Sequence, residues 1–130
     1  MKQLQFFWLI SIAVILFSSC TKGPGEGGTS TIKGKVYAYN YDVLGQLTGQ
    51  YFAPEEHVYI VFGDDGYYSI DNKTGYDGTY EFPYLKKGHY TIYAYSKCTT
   101  CPSGYEPVFI QADVTSNNSV VELDTLIINR

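Results

Sequence analysis

Four groups of residues in this chain have types and spacings that could do chemistry. Cys98-Thr99-Thr100-Cys101 is a pair of thiols two residues apart. Such a pair closes a small disulfide loop, acts as a redox couple when its first thiol sits at a helix N-terminus, or supplies half of a four-ligand zinc site. Lys97 and Pro102 flank it in what reads as a loop between strands, and His57 and His89 are too far off in sequence to form a ligand pair. A second group, Asp64, Asp65, Asp71 and Asp77, lies in turn-rich segments. Clustered carboxylates can hold a hard cation, but these lack EF-hand spacing, and Asp is also an ordinary turn residue. No Ser/His/Asp or Cys/His grouping is ordered for nucleophilic catalysis, so no catalytic residue, metal or cofactor is expected. The third group is the fourteen tyrosines. Tyr37, Tyr39, Tyr59, Tyr93 and Tyr95 fall on the opposite parity to neighbouring apolar residues, where their rings could stack on sugars or anchor a protein interface. Cys20, alone near the N-terminus, is the fourth.

These residues sit in a chain of 130 residues, 45% apolar, 17% aromatic and 17% charged, with a net charge of −4. That length fits one domain. The aromatic content excludes a long disordered polymer. The acidic balance, with nine Lys and Arg residues that form no cluster, excludes a phosphate-tracking nucleic-acid binder.

The first twenty residues differ from the rest. Lys2 precedes a near-continuous apolar run, Phe6–Phe17, followed by Ser18-Ser19-Cys20. This is secretory signal architecture, and the run is too short for a spanning helix, which needs roughly 20 residues. Leu16-Phe17-Ser18-Ser19-Cys20 resembles the lipobox of bacterial lipoproteins, with small residues before an obligatory cysteine. The resemblance implies cleavage before Cys20 and acylation of its thiol and new amino group, an anchor that several acyl chains make effectively permanent. Thr21, rather than Asp, follows; by the sorting rule of Gram-negative lipoproteins this resembles an outer-membrane destination. Residues 1–19 are then expected to be a signal peptide and residues 20–30 the lipidated cysteine with a flexible tether, since Lys22–Ser30 has no apolar residue. Residues 31–130 are expected to be the folded domain. With Cys20 taken by lipid, Cys98 and Cys101 remain as an even pair in an oxidising compartment, where a structural disulfide is expected.

The remainder reads as all-β. Ile32, Gly34, Val36 and Ala38 alternate with Lys33, Lys35, Tyr37 and Tyr39, and similar alternation recurs at Val58–Phe62, Tyr80–Phe82, Tyr90–Ala94 and Val108–Val114. Turn residues separate the runs, as at Gly63-Asp64-Asp65-Gly66 and Gly75-Tyr76-Asp77-Gly78. About seven short strands at this spacing predict an antiparallel sandwich. Asp77, Gly78, Tyr80, Phe82, Leu85, Gly88, Tyr90 and Ile92 match the pattern Asp-Gly-x-Tyr-x-Phe, Leu, Gly-x-Tyr-x-Ile/Val. In this the chain resembles carboxypeptidase-regulatory-like, or transthyretin-like, domains. The resemblance implies a seven-stranded antiparallel, prealbumin-like (Ig-like) sandwich in which Tyr80–Phe82 and Tyr90–Ile92 are partner strands. The expected function is that of a non-enzymatic outer-membrane lipoprotein, a structural or binding accessory whose partners are the membrane and a surface protein or glycan. One alternative is a carbohydrate-binding accessory of a surface glycan-uptake system. Another is a redox or metal protein using Cys98 and Cys101.

Overall fold

Small or β-branched inward residues at every second position commit the segment around Ile32–Ala38 to an extended strand with one dry face. In the computed structural model, which describes residues 23–130, that strand is longer than its sequence signal: β1 runs from Glu26 to Tyr41. Eight further strands follow: β2 (Leu47–Phe52), β3 (His57–Phe62), β4 (Ile70–Lys73), β5 (Thr79–Leu85), β6 (Gly88–Lys97), β7 (Tyr105–Val114), β8 (Val120–Glu122) and β9 (Leu126–Asn129). No helix is present among the described residues. The signal peptide and Cys20 lie outside them.

The strands form two sheets. In the first, β1 is the common partner of the other four; in the second the order is β4-β3-β6-β7. One side of β1 is shared. Its lower half, Ile32–Lys35, pairs with β5, and its upper half, Tyr37–Tyr41, pairs with β2. The exchange occurs at Val36, whose N–H donates to the Gly78 carbonyl at 2.9 Å and whose carbonyl accepts from Ala53 N–H at 2.9 Å. No backbone group is orphaned at the switch. The other side of β1 pairs with β8 and then β9.

Four expectations are corrected. Nine strands replace about seven, because Leu47–Phe52 adds an arm to β1, Ile70–Lys73 adds an edge to β3, and the final apolar run breaks into β8 and β9. The sandwich is not wholly antiparallel, since β8 and β9 run parallel to β1. The reason is the route: β7 ends beside Gly88, at the pole where β1 begins, so the returning chain enters β1's free edge from that same pole. Third, β5 and β6 are not partners. β5 pairs with β1 and β6 with β3 and β7, so the turn at Lys86-Lys87 crosses from one sheet to the other. Fourth, the tether is not free along its length: Glu26–Ser30 belongs to β1, and Ser30 is buried, its hydroxyl donating to the Ser116 carbonyl at 2.8 Å.

The core lies between the sheets. β1 contributes Ile32, Val36 and Ala38, β3 contributes Val58 and Ile60, and β6 contributes Tyr90, Ile92 and Ala94. Tyr80, Phe82 and Leu85 come from β5, and Leu126 and Ile128 from β9. Tyr80 and Tyr90 are fully buried, ring and hydroxyl alike, rather than half wet. The Tyr90 hydroxyl is paired, donating to the Lys86 carbonyl at 2.7 Å. Tyr80 crosses β1 at Gly34, where any Cβ would collide with its phenol. Its hydroxyl has no partner, and burial pushes its pKa up.

An unpaired buried hydroxyl costs about 1–3 kcal/mol. Tyr80→Phe is therefore expected to raise stability by about 1 kcal/mol, a Tm gain of about 4–8 °C in calorimetry. A loss of stability would show that the hydroxyl has a partner.

Candidate functional site

Because β3 and β6 turn Val58, Ile60, Ile92 and Ala94 inward, their intervening residues face outward from the second sheet. Register then decides which of them meet. Tyr59 stands opposite Tyr93, and Tyr93 opposite Phe109 on β7, so three aromatic residues form one row across three strands. Tyr59 and Tyr93 stack with centroids 5.0 Å apart and planes 18° from parallel, and Phe109 lies 5.5 Å from Tyr93. Tyr95 packs edge-on to both tyrosines, at 5.7 Å from Tyr59 and 5.6 Å from Tyr93. Tyr68, from the loop between β3 and β4, meets Tyr59 at 4.9 Å. Edge-to-face and offset contacts of this kind hold rings in place.

These rings floor an open groove of about 730 Å³ that Asp64, Asp65 and Tyr67 of the β3–β4 loop close at one end and Pro107 borders on β7. Two carboxylates line it and no Lys, Arg or His does. Burial, followed by the neighbouring Tyr95, pushes the Tyr93 phenol up to about 12. Burial and then Asp71 raise Tyr59. Both hydroxyls, protonated at neutral pH as any phenol is, can donate as well as accept hydrogen bonds. The site offers flat aromatic faces, neutral hydroxyls and two anionic acceptors.

The five tyrosines expected to form a binding surface do not share one. Tyr59, Tyr93 and Tyr95 meet in the groove. Tyr37 and Tyr39 lie on β1, in the opposite sheet, where Tyr37 packs edge-on against Tyr39 at 5.5 Å and Phe52 at 5.0 Å. Tyr68 and Phe109 complete the groove, and sequence reasoning missed both. Phe109 alternates with Val108 and Ile110, so its outward parity was a usable signal. Tyr68 lies in a loop with no periodicity, and nothing local reports its position.

The remaining candidates are dispersed. Cys98 and Cys101 form a disulfide with a Cα–Cα distance of 5.4 Å, in the loop between β6 and β7. Glu106 lies beside them, the three ligand atoms within 4.8 Å of one another, but both sulfurs are spent in the bond. The histidines take separate partners: His57 Nδ1 lies 2.8 Å from Asp71 and His89 Nδ1 2.7 Å from Asp113. They stand at opposite ends of the second sheet, as β3 and β6 are antiparallel. Asp77 accepts from the N–H and hydroxyl of Thr79, at 3.1 Å and 2.9 Å, which holds its carboxyl below the ordinary value. The four aspartates therefore do not converge.

A raised phenol pKa means that the folded chain keeps a proton that the unfolded chain releases. The stability this contributes is complete below the ordinary value of 10.0 and is lost as pH climbs toward about 12. The urea midpoint is expected to fall over that interval, and Tyr93→Phe to make the fall shallower. An unchanged slope in the variant would show that Tyr93 titrates alike in both states.

No family model matches the chain, and no curated protein does. Among solved structures, the chain is similar to the crystal structure of a candidate carbohydrate-binding protein from Pseudomonas aeruginosa. The two share 13% identity over 82% of this chain and 91% of that one, with a TM-score of 0.46.

Proposed function

We propose that this chain is a lipid-anchored, non-enzymatic binding module of the outer membrane, and that its ligand is a glycan held in the groove of the second sheet. The observation that carries the ligand assignment is the row Tyr59–Tyr93–Phe109, flanked by Tyr68 and Tyr95 and ended by Asp64 and Asp65. A sugar ring presents C–H groups to an aromatic face and hydroxyls at its rim. Carboxylates and neutral phenols are the partners such hydroxyls need. The absence of a lining cation favours neutral sugars over acidic ones, whose charge the two aspartates would repel. The groove is open and shallow, which suits a chain laid along the sheet more than an enclosed small molecule.

The carboxypeptidase-regulatory-like identity belongs to this proposal. It is supported by the placement of the pattern residues: Tyr80, Phe82, Leu85, Tyr90 and Ile92 all point into the core, and Asp77 caps the turn before β5. The anchor rests on the lipobox resemblance of Leu16–Cys20. Outer-membrane residence rests on Thr21.

Two measurements test the reading. Against a panel of neutral oligosaccharides, Tyr59→Ala and Tyr93→Ala are each expected to weaken binding about tenfold or more, the scale of an interface anchor. A panel with no binder, or binding indifferent to both substitutions, would sink the groove as the glycan site. In cells, Cys20→Ser is expected to release the protein from the membrane fraction. Normal retention of that variant would refute the lipid anchor.

A further inference from the structure

We propose that the pole around Pro24 is the face this domain turns to a phospholipid surface, and that the docked segment Pro24–Ser30 holds it there in one orientation. The proposal rests on the lipid-anchor reading of Cys20. What it adds is the geometry of attachment.

Gly25 is buried, and its backbone is held from two directions. Its N–H donates to the Tyr90 hydroxyl at 2.9 Å, and its carbonyl accepts from Lys86 N–H at 2.8 Å. The same Tyr90 hydroxyl donates to the Lys86 carbonyl, so one buried phenol joins the N-terminal segment to the turn between β5 and β6. The Pro24 ring sits against two glycines. A Cβ at Gly88 would lie 2.6 Å from the Pro24 Cβ, and one at Gly63 would lie 3.0 Å from its Cγ. Both glycines have φ values, 153° and 58°, that side chains disfavour. From Glu26 the chain continues directly as β1.

Only Thr21, Lys22 and Gly23 separate Cys20 from this docked ring. Four peptide steps span about 14 Å at most. A tether reaching to Ser30 would let the domain swing; one that ends at Pro24 leaves little slack. The pole carries Glu26, Asp64, Asp65 and Asp113 against Lys86 and Lys87, so it has no excess of positive charge to draw it to an anionic surface. Attachment here depends on the tether and the docking, not on charge. β1 carries the chain to the far pole, at most about 50 Å away for sixteen residues. There the exposed Val43 and Leu44 at the tip of the β1–β2 hairpin lie beside Lys97 at the end of β6 and Thr99 of the disulfide loop. The tyrosine groove runs along the side, with its acidic end nearest the lipid.

Residues 20–130 contain no tryptophan, so Lys87→Trp and Leu44→Trp each place a single fluorophore, one at each pole. The full chain, processed in a Gram-negative host, is reconstituted in phosphatidylethanolamine–phosphatidylglycerol vesicles doped with headgroup-nitroxide lipid. In parallel, the chain beginning at Cys20 is coupled through that thiol to a maleimide lipid in the same vesicles. Lys87→Trp is expected to lose most of its emission and Leu44→Trp none, in both preparations and at low and high salt alike. A Gly-Ser insertion between Gly23 and Pro24, which leaves every docked contact in place, is expected to restore the Lys87→Trp emission. Equal quenching at the two positions, or quenching unaffected by the insertion, overturns the proposal. If the cell-processed chain stays out of the vesicles while the coupled chain shows the expected pattern, the anchor reading fails and the pole's geometry stands.

Discussion

The first sheet exists only because β1 offers hydrogen-bonding groups along both of its edges for sixteen residues. β2, β5, β8 and β9 each pair with β1 and, within that sheet, with nothing else. A strand that serves four partners cannot slip, since a shift of one residue would turn Ile32, Val36 and Ala38 out of the core and bring Lys33, Lys35 and Tyr37 in. The same strand has to yield space. Gly34 lets Tyr80 cross it, and the Val36 carbonyl and N–H serve two different segments at the point where β5 gives way to β2. This spine also ties the N-terminal segment to the fold, because docking at Gly25 and pairing in β1 are one continuous stretch of chain.

With one sheet assembled about β1, the second is left to present an outer face. Its four strands run in simple antiparallel order, and the outward residues of the three longer ones carry the rings. Antiparallel register converts residues that are far apart in sequence, Tyr59, Tyr93 and Phe109, into nearest neighbours. Each ring is held by the others, so the face is preorganised and little side-chain freedom remains to be lost when a ligand settles on it. The strands supply phenol hydroxyls, and the β3–β4 loop brings carboxylates to one end. Most of the stacking surface therefore comes from strand register, while a loop adds Tyr68 and the carboxylates.

The disulfide stands apart from this chemistry. It closes a short loop at the pole opposite Pro24, between the two strands that carry most of the groove's floor. The bridge spans only residues 98–101, and the Cys98 N–H donates to the Gly104 carbonyl at 2.9 Å, so its role is to shape that connection rather than to tie the two strands together.

Alternation along the chain was enough to identify an all-β protein, the inward residues of β1, β3, β5 and β6, and the turns between them, because side-chain parity is a local property of extended backbone. The outward parity of Tyr59, Tyr93 and Tyr95 was legible for the same reason, and so was the pairing of Cys98 with Cys101, three residues apart. Parity says which side of its own sheet a residue occupies, but not which sheet it joins. Hence Tyr37 and Tyr39 were grouped with residues that lie on the opposite face, and β5 and β6 were read as partners although the turn at Lys86-Lys87 crosses between layers. The polar, glycine-rich segment before Thr31 read as tether because it has no alternating apolar side chains to bury. Its docking uses backbone groups, the Pro24 ring, the Ser30 hydroxyl and glycine's missing Cβ, and these leave no pattern in the alternation of apolar residues. Which strands pair, where Tyr68 and Phe109 come to rest and how Pro24–Ser30 docks are decided by long-range contacts, and only the folded chain supplies them.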